Sequence, residues 1–577
     1  MEYIVIVVVI IALALLKIWY DKRKAEIKLA RRIKEAWGRV PQNQYEPSDL
    51  KTLSQLFYLH DSKATVHVVD DTTWNDLEMD LLFSQINSTW TSMGDQALYS
   101  LLRTPVYSQE QWTERKALIE YWENHPEMRE KIQSVLARTG KFFPDRLNVW
   151  MEPNDYLEFK DKWLYKVLTF LPFVSVPLFF LSVGGGLIFA IVSLACNALY
   201  HELSIKKLHA GLEAVTQAVS VVALAKGLIR IPVEALKERF QSIRESLKGL
   251  DALAQKGHIN NLYISFIGDM ATDMASILKM LFLFDIWSYQ ASINIIKKHQ
   301  AELIKLIKEI GELDATLAIA SYRQSLSVWC IPQIQWEAPK HPYFIEAEKV
   351  VHPLIQHCTP NPIRAAKATL LTGSNASGKS TYLKTVAINT LTAHTLCLCY
   401  AEQWISHPLF PMTSMALRDS ILNGESYYVA EIKSLRRIFA LASGSVRCLC
   451  IIDEVLRGTN TIERIAASSR ILSALARLNT CIFAATHDVE LTSILRDVFE
   501  NKHFEEHITD KDITFDYTLK EGKATTRNAI KLLKLMGFED DIINSAEEAV
   551  ACFEKNNQWP VLKKEEYNNA KADIMEC

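Results

Sequence analysis

The chain has 577 residues, a formal net charge of −3 and 23% charged side chains. This length allows two or three domains, each with its own hydrophobic core. The near-neutral charge excludes nucleic-acid binding through bulk basic charge, so contacts with a phosphate backbone would need a local patch. The ten cysteines lack the spacing of a zinc site. We interpret them as reduced, buried thiols of a cytoplasmic compartment, with disulfides as the alternative, and expect Cys397/Cys399 and Cys448/Cys450 on apolar strands.

The N-terminus carries a first candidate membrane span. Residues 3–20 are apolar except for Lys17, and a basic stretch follows as far as Lys34. The length suffices for one span, because Lys17 can snorkel to the interface and the run ends on two aromatic residues. A cleaved signal peptide is the alternative, but it would need basic residues before the apolar run and a small-residue cleavage site after it. The positive flank predicts Met1 outside and the remainder in the cytoplasm.

A second apolar block, residues 167–200, contains no charged side chain. Pro172 and Pro177 interrupt it, the three glycines 184–186 are expected to form a turn near its middle, and lysines flank both ends. This pattern predicts a membrane hairpin whose two ends share the cytoplasmic side. A buried helical pair in a soluble core is the alternative, although such helices rarely lack polar positions for so long. The prediction is therefore a multi-pass protein of the cytoplasmic membrane with three spans in the bilayer.

The predicted secondary structure of the remaining sequence changes once along the chain. Long helical patterns occupy residues 208–226, 233–256 and 277–323, whereas short β-branched strands alternate with helices after the proline-rich stretch 332–342. The first part predicts an all-α domain that contains the transmembrane helices. The second part predicts an α/β domain built on a mostly parallel sheet.

A glycine-rich segment at residues 370–381 reads as a strand, a turn and the start of a helix near Lys379. The spacing matches a phosphate-binding loop, in which backbone N–H groups and a helix N-terminus surround phosphate oxygens. Lys379 would supply an ammonium for binding and catalysis, and Ser380 a hydroxyl for Mg²⁺. A chance match is the alternative, but further ATPase segments follow in order. The predicted ATP-binding residues are Gly373, Ser374, Asn375, Ala376, Ser377, Gly378, Lys379, Ser380 and Thr381.

Two later strands end in polar side chains. The apolar run 448–452 ends in Asp453 and Glu454. This predicts a carboxylate that holds Mg²⁺ through water and a second one that orients or deprotonates the attacking water. The run 481–486 ends in His487, which is placed to sense the γ-phosphate or that water. A solvated acidic turn and a structural histidine are the respective alternatives. We assign catalysis to Glu454, His487 and Lys379, and Mg²⁺ binding to Ser380 and Asp453.

Together these segments resemble the MutS family of DNA mismatch-repair ATPases. The similarity extends to residues 351–353, to Thr91-x-x-Gly94 and to the segment 312–314, and covers roughly residues 69–550. The motifs that carry it are Gly373-Ser374-Asn375-Ala376-Ser377-Gly378-Lys379-Ser380-Thr381-Tyr382, Asp453-Glu454-x-x-Arg457-Gly458-Thr459-x-Thr461 and Ala485-Thr486-His487-x-x-Glu490-Leu491-Thr492.

The resemblance implies a homodimer in which each ATP site is completed by the neighbouring subunit. Ser426, in the segment 423–426, would touch the γ-phosphate of the partner's ATP, and the helices after Asn528 would supply dimer contacts. It further implies DNA as a partner, held by a clamp that long lever helices move. Together with the predicted spans, the resemblance divides the chain into a membrane anchor at 1–40, a core and lever domain at 41–331 with the hairpin at about 163–200, an ATPase domain at 332–527, and a C-terminal dimerisation segment at 528–577.

The sequence also departs from the family. Only about 70 residues precede the core, so we expect no mismatch-reading domain with a Phe-x-Glu wedge, and we expect no terminal endonuclease domain. No adenine-stacking aromatic is recognised at 358–361. The leading hypothesis is a membrane-anchored DNA clamp ATPase. The alternative is a membrane scaffold or remodelling ATPase that works without nucleic acid, while a missing Leu-Ser-Gly-Gly-Gln signature disfavours a transport ATPase.

Overall fold

The structure is a computed structural model, and the chain divides into two compact units. The first comprises Met1–Pro332 and Leu391–Cys399, and the second Gln333–Thr390 and Tyr400–Cys577. The residues that the structure describes are 2–41, 45–60, 67–141, 163–253, 280–337, 343–366, 368–374, 377–415, 427–444, 446–457, 459–508, 513–524 and 529–561.

The first unit is helical throughout its described part. Short 3₁₀ turns at Leu171–Val174 and Glu234–Leu236 join some of the helices. The helices are α1 (Glu2–Ala36), α2 (Pro47–His60), α3 (Asp71–Asp76), α4 (Met79–Ile86), α5 (Ser92–Arg103), α6 (Gln109–Asn124), α7 (Pro126–Thr139), α8 (Leu164–Phe170), α9 (Ser175–Leu181), α10 (Val183–Leu228), α11 (Lys237–Leu247), α12 (Phe284–Lys298) and α13 (Gln300–Ser325).

Helices α5 and α13 form the centre of this unit, and a buried carboxylate fixes their contact. Asp314 Oδ2 accepts hydrogen bonds from the Thr91 hydroxyl at 2.7 Å and from the backbone N–H groups of Thr91 and Trp90 at 2.8 and 3.0 Å. A Cβ on Gly94 would lie 2.4 Å from the same oxygen, so only glycine lets the helices approach this closely. The two sequence segments that resembled the family core therefore meet at one polar contact.

The hairpin helices have an inverted polarity. Leu187, Ile188 and Ile191 on α10 are exposed, whereas the polar side chains that share one face of this helix (Ser193, Asn197, His201 and Ser204) are buried. The stretches Leu164–Leu181 and Val183–Ser204 are long and apolar enough to cross a membrane. This distribution is the reverse of a soluble amphipathic helix, which buries its apolar face.

Three expected helix boundaries differ from the structure. Helix α10 runs directly through the three glycines 184–186, because the Ser182 hydroxyl caps its first turn by accepting from the Gly185 N–H at 3.3 Å. The turn thus lies at Ser182, and the pattern at 208–226 continues the same helix. The pattern 277–323 is broken at His299, which leaves the helical conformation between α12 and α13.

In its described part, the second unit combines three sheets with helices. Its helices are α14 (Lys379–Thr395, whose end belongs to the first unit), α15 (Tyr427–Ala442), α16 (Thr461–Leu475), α17 (Glu490–Ile494), α18 (Ala529–Leu535) and α19 (Asp540–Asn556). Its strands are β1 (Gln333–Ile334), β2 (Ile345–Val350), β3 (Asn361–Ala365), β4 (Ala368–Thr372), β5 (Gln403–Ser406), β6 (Phe410–Ser414), β7 (Cys448–Asp453), β8 (Thr480–Ala485), β9 (Phe499–His503), β10 (Glu506–Ile508), β11 (Ile513–Phe515) and β12 (Lys520–Glu521).

The largest sheet has the order β12-β9-β4-β8-β7-β6, and every pairing except β12–β9 is parallel. Strands β7 and β8 are continuous apolar runs because both sheet faces are covered. The expected mostly parallel sheet is confirmed. A smaller sheet, β1-β5-β2-β3, is mainly antiparallel, and β10 and β11 form a separate antiparallel pair.

The two Cys-x-Cys pairs have different environments. Cys448 and Cys450 lie buried in strand β7, as expected. The prediction of a strand at Cys397 and Cys399 was wrong. Cys397 has a positive φ of 51°, and Cys399 makes only an isolated antiparallel bridge to Cys330 after α14 has ended. The thiols in the described part of the chain are free, and burial raises the pKa of Cys397 to about 11.

Candidate functional site

Three neighbouring strands bring the predicted site residues to one edge of the large sheet. Ala485 at the end of β8 is paired with Leu371 of β4 on one side and with Asp453 of β7 on the other. The Glu454 N–H donates to the Ala485 carbonyl at 3.0 Å, which extends this register past the strand end. Because carboxyl ends of parallel strands meet at one edge, the segments that follow β4, β7 and β8 converge there.

The loop after β4 depends on two glycines in conformations that side chains rarely adopt. Gly373 has a φ of 141°, and a Cβ there would lie 2.8 Å from the Phe504 carbonyl oxygen and 2.9 Å from Ser377 Oγ. Gly378 has a φ of 101°, with a Cβ position 3.1 Å from the Tyr517 ring. Both positions therefore require glycine, and the second opens directly into helix α14.

Lys379 is folded back into this loop. Its ammonium donates to the carbonyl oxygens of Gly373 and Ser374, both at 2.7 Å, and only 3% of the residue is exposed. Burial lowers its pKa, while the nearby carboxylates of Asp453, Glu454 and Glu506 act in the opposite direction. The loop thus holds one buried cation at the N-terminus of a 17-residue helix, a place that favours an anionic ligand.

Ser380 and Asp453 form the pair expected for a divalent cation. The Ser380 hydroxyl donates to Asp453 Oδ2 at 2.6 Å, and burial raises the pKa of Asp453 despite this hydrogen bond. Hard oxygen donors of this kind suit Mg²⁺. In the part of the chain that the structure describes, no cluster of three or more His, Cys, Asp or Glu side chains could hold a metal ion. The pair fits a Mg²⁺ that takes its other ligands from phosphate and water.

Glu454 is fixed by two cationic or potentially cationic neighbours. Its carboxylate lies 2.7 Å from His487 Nε2 and 3.0 Å from Arg457 Nε, and only 18% of its side chain is exposed. The hydrogen bond with His487 is the main reason that the pKa of Glu454 is lowered. Its backbone has a positive φ of 56°, a strained conformation typical of functional sites. The result is an ionised, oriented carboxylate next to the Ser380–Asp453 pair.

Most of the predicted residues are thus placed together. Ser377 closes the loop by donating its hydroxyl to the Ser374 carbonyl at 2.8 Å, and Thr381 lies in the first turn of α14. Asn375, Ala376 and Ser426 lie outside the described residues. Their assignments, like the catalytic and metal roles of the others, remain predictions.

The structure adds two residues near the site that were not predicted, Tyr517 and Glu431. The Tyr517 ring lies against Gly378, is 45% exposed and stacks on Phe515 with ring centres 5.8 Å apart. Asn361 fixes the Tyr517 backbone by donating to its carbonyl at 2.9 Å. The alternating pattern Ile513-Thr514-Phe515-Asp516-Tyr517 is a weak signal for a strand that ends in an aromatic residue.

Glu431 of α15 is the second such residue. It is almost completely buried and accepts a hydrogen bond from the Leu456 N–H, which fixes the turn that follows Glu454. Burial raises its pKa. Nothing in the local sequence distinguishes Glu431 from an exposed helix glutamate, because its partner, Leu456, follows strand β7 and is distant in sequence.

Comparisons with known proteins agree with this geometry. Residues 369–554 match MutS domain V, a segment that contains the loop, the two carboxylates and His487. The DNA mismatch repair protein MutS of Aquifex pyrophilus is 32% identical over 260 residues, which is 42% of this chain and 30% of that protein. MutS of Thermotoga maritima is 27% identical over 273 residues (45% of this chain, 33% of that protein). The mismatch repair protein MSH3 of Saccharomyces cerevisiae is 28% identical over 282 residues (45% and 26%).

The matched domain and the arrangement of its strand-end residues define the class of protein. Residues 369–554 form a MutS domain V, and the chain is similar to MutS proteins over 42–45% of its length. The aligned part spans a third or less of the length of these relatives.

Proposed function

We propose that the protein is a membrane-anchored MutS-type ATPase that hydrolyses ATP at composite sites in a homodimer and uses the cycle to operate a DNA clamp. The observation that supports hydrolysis most strongly is the convergence of Lys379, Ser380, Asp453, Glu454 and His487 at one sheet edge. The family is one of ATPases, and the relatives are named as DNA mismatch repair proteins.

The proposed chemistry assigns a task to each of these residues. Lys379 would exchange the loop carbonyls for phosphate oxygens, and Ser380 with Asp453 would hold Mg²⁺, which neutralises charge that develops on the transferred phosphoryl group. Glu454, ionised through its contact with His487, would accept a proton from the attacking water. His487 would keep that carboxylate in place and respond to the γ-phosphate. Tyr517, exposed beside Gly378, offers an aromatic face on which the adenine base would stack.

The homodimer rests on the family and on exposed apolar side chains. Met536 and Phe538, in the turn between α18 and α19, are 72% and 50% exposed, and Ile542 in α19 is 48% exposed, which suits a contact with a second copy. Ser426 would enter the partner's site in trans.

The experiment that tests this function measures ATP turnover of the purified protein with no DNA and with duplex, mismatched or branched DNA. We expect DNA to stimulate turnover, with a stimulation that falls steeply as salt rises, because phosphate contacts release counterions. Lys379→Ala should abolish nucleotide binding and serves as the control for contaminating ATPases. Turnover that ignores every DNA but rises with lipid vesicles would reject the clamp and support a membrane scaffold or remodelling ATPase.

Membrane insertion of the hairpin is supported by its inverted polarity. Exposed residues at its tip include Phe180 and Leu181, at 86% and 84%, while Asn197 is completely buried and donates to the Leu281 carbonyl at 2.7 Å. Lipid around the hairpin would cover the apolar surface and leave the polar seam inside, the arrangement that a bilayer favours. Helix α1, which contains the first predicted span, would add a second anchor, with the bulk of the chain in the cytoplasm.

Cys196 offers a direct test of this anchor, because it is exposed on α10 within the proposed span. In membrane fragments open on both faces, we expect a membrane-impermeant maleimide to leave Cys196 unlabelled and to label it after denaturation with detergent. The labelling of Cys196 is the difference between the maleimide labelling of the unmodified protein and that of its Cys196→Ser variant. Glu234→Cys, at an exposed position outside the hairpin, should label in both conditions. Equal labelling of Cys196 and Glu234→Cys in intact fragments would show that the hairpin lies in water.

A further inference from the structure

A third carboxylate, Glu506, lies at the loop and has no task in the reaction described above. It begins β10, directly after a segment whose backbone is tied to the loop strand. The Phe504 N–H donates to the Thr372 carbonyl at 3.1 Å, and the Phe504 carbonyl occupies the space beside Gly373. This backbone hydrogen bond holds Glu506 near the loop, so its position does not depend on its side-chain rotamer alone.

The side chain of Glu506 contacts the loop itself. The Ser374 hydroxyl donates to Glu506 Oε2, and Ser374 also offers its carbonyl oxygen to the Lys379 ammonium at 2.7 Å. Glu506 is near enough to Lys379 to act on its pKa together with Asp453 and Glu454. The loop therefore closes on internal partners on both sides, a carboxylate at Ser374 and two carbonyls at Lys379.

A nucleotide brings several negative charges to this point. Asp453 is paired with Ser380 and suits a divalent cation, and Glu454 is balanced by His487 and Arg457. When the Lys379 ammonium moves from the loop carbonyls to phosphate, none of these contacts offsets the negative charge of Glu506. Like charges within several ångströms of each other in a half-buried site repel appreciably.

We propose that Glu506 sets the affinity of the nucleotide site: it holds Ser374 in the closed loop, repels incoming phosphate, and must be displaced when the nucleotide binds. This inference rests on the proposed nucleotide site. It makes Glu506 an affinity-determining residue of that site and not a catalytic one, since it touches the loop and not the Ser380–Asp453 pair or Glu454.

The test compares nucleotide affinity of the full-length protein and Glu506→Gln, using a fluorescent ADP analogue and then competition by ATP with Mg²⁺. The amide keeps the shape and removes the charge, so we expect a dissociation constant lower by about three- to tenfold, with the largest gain at low ionic strength. A purely structural role would not give a gain that shrinks as salt rises. Glu505→Gln is the matched control, because the neighbouring Glu505 is paired with Lys520 at 2.8 Å and His503 at 3.0 Å and should not change affinity.

The outcomes separate this inference from the proposed function. Unchanged or weaker binding by a folded Glu506→Gln, while the unmodified protein binds nucleotide and Lys379→Ala does not, would overturn the role of Glu506 alone. Loss of binding in the unmodified protein would instead reject the nucleotide site. If Glu506→Gln lacks the circular dichroism of the unmodified protein, Glu506→Ala provides the same loss of charge and is judged by the same gain in affinity.

Discussion

Replacing Glu454 by glutamine should leave ATP binding intact and lower ATP turnover by about 10²- to 10⁴-fold, the range expected for loss of a general base. The reason is that glutamine cannot accept the proton of the attacking water, although it can preserve the 2.7 Å contact with His487 and the turn held by Glu431. Single-turnover hydrolysis and equilibrium binding of ATP, measured on the same preparation, separate the two effects.

The control for this experiment is Glu463→Gln, an exposed glutamate in the first turn of α16. It should retain normal turnover. If Glu454→Gln hydrolyses ATP at the rate of the unmodified protein, Glu454 is not the base, and the proposed reaction at this sheet edge would need a different proton acceptor.

Replacing Asp314 by alanine should destabilise the helical unit by about 3 kcal/mol or more. The substitution leaves three buried donors without an acceptor, namely the Thr91 hydroxyl and the N–H groups of Thr91 and Trp90. Each unsatisfied donor costs about 1–3 kcal/mol. Asp314→Asn, which keeps an acceptor oxygen for them, should lose less than half as much. The measurement is urea unfolding in detergent micelles, and equal losses for the two variants would show that the hydrogen bonds contribute little.

The same carboxyl predicts a pH dependence. Burial raises the pKa of Asp314 to about 6, from 3.8 for an exposed aspartate. Between these values the folded state binds the proton that the unfolded state has released, so the stability due to the protonated form is present below pH 4 and is lost as pH rises through 6. The stability of the protein relative to Asp314→Asn, which does not titrate, should therefore fall by about 3 kcal/mol across this window. A difference that stays constant with pH would contradict the raised pKa.

Local spacing accounts for the part of the site that was predictable. The loop from Gly373 to Ser380 and the pair Asp453-Glu454 are contiguous, so their chemistry can be read before any fold is known. The structure then placed their strands, β4 and β7, in one parallel sheet with β8 between them. The helix start at Ser182 was misplaced because a capping hydroxyl, and not hydrophobic periodicity, sets where α10 begins. The break at His299 has no side-chain cap, and hydrophobic periodicity does not reveal it.

The sequence by itself therefore determined the likeness to the MutS family, the loop and the identity of the two strand-end carboxylates, since each is encoded in residues close together along the chain. Only the tertiary structure decided that Glu431 holds the Leu456 backbone, that Glu506 contacts Ser374, that Tyr517 lies on Gly378, and that Asp314 joins Thr91 across 223 positions. These contacts join residues distant in sequence whose side chains are ordinary in their local context. Their roles follow from burial and from the partners that folding brings within hydrogen-bond distance.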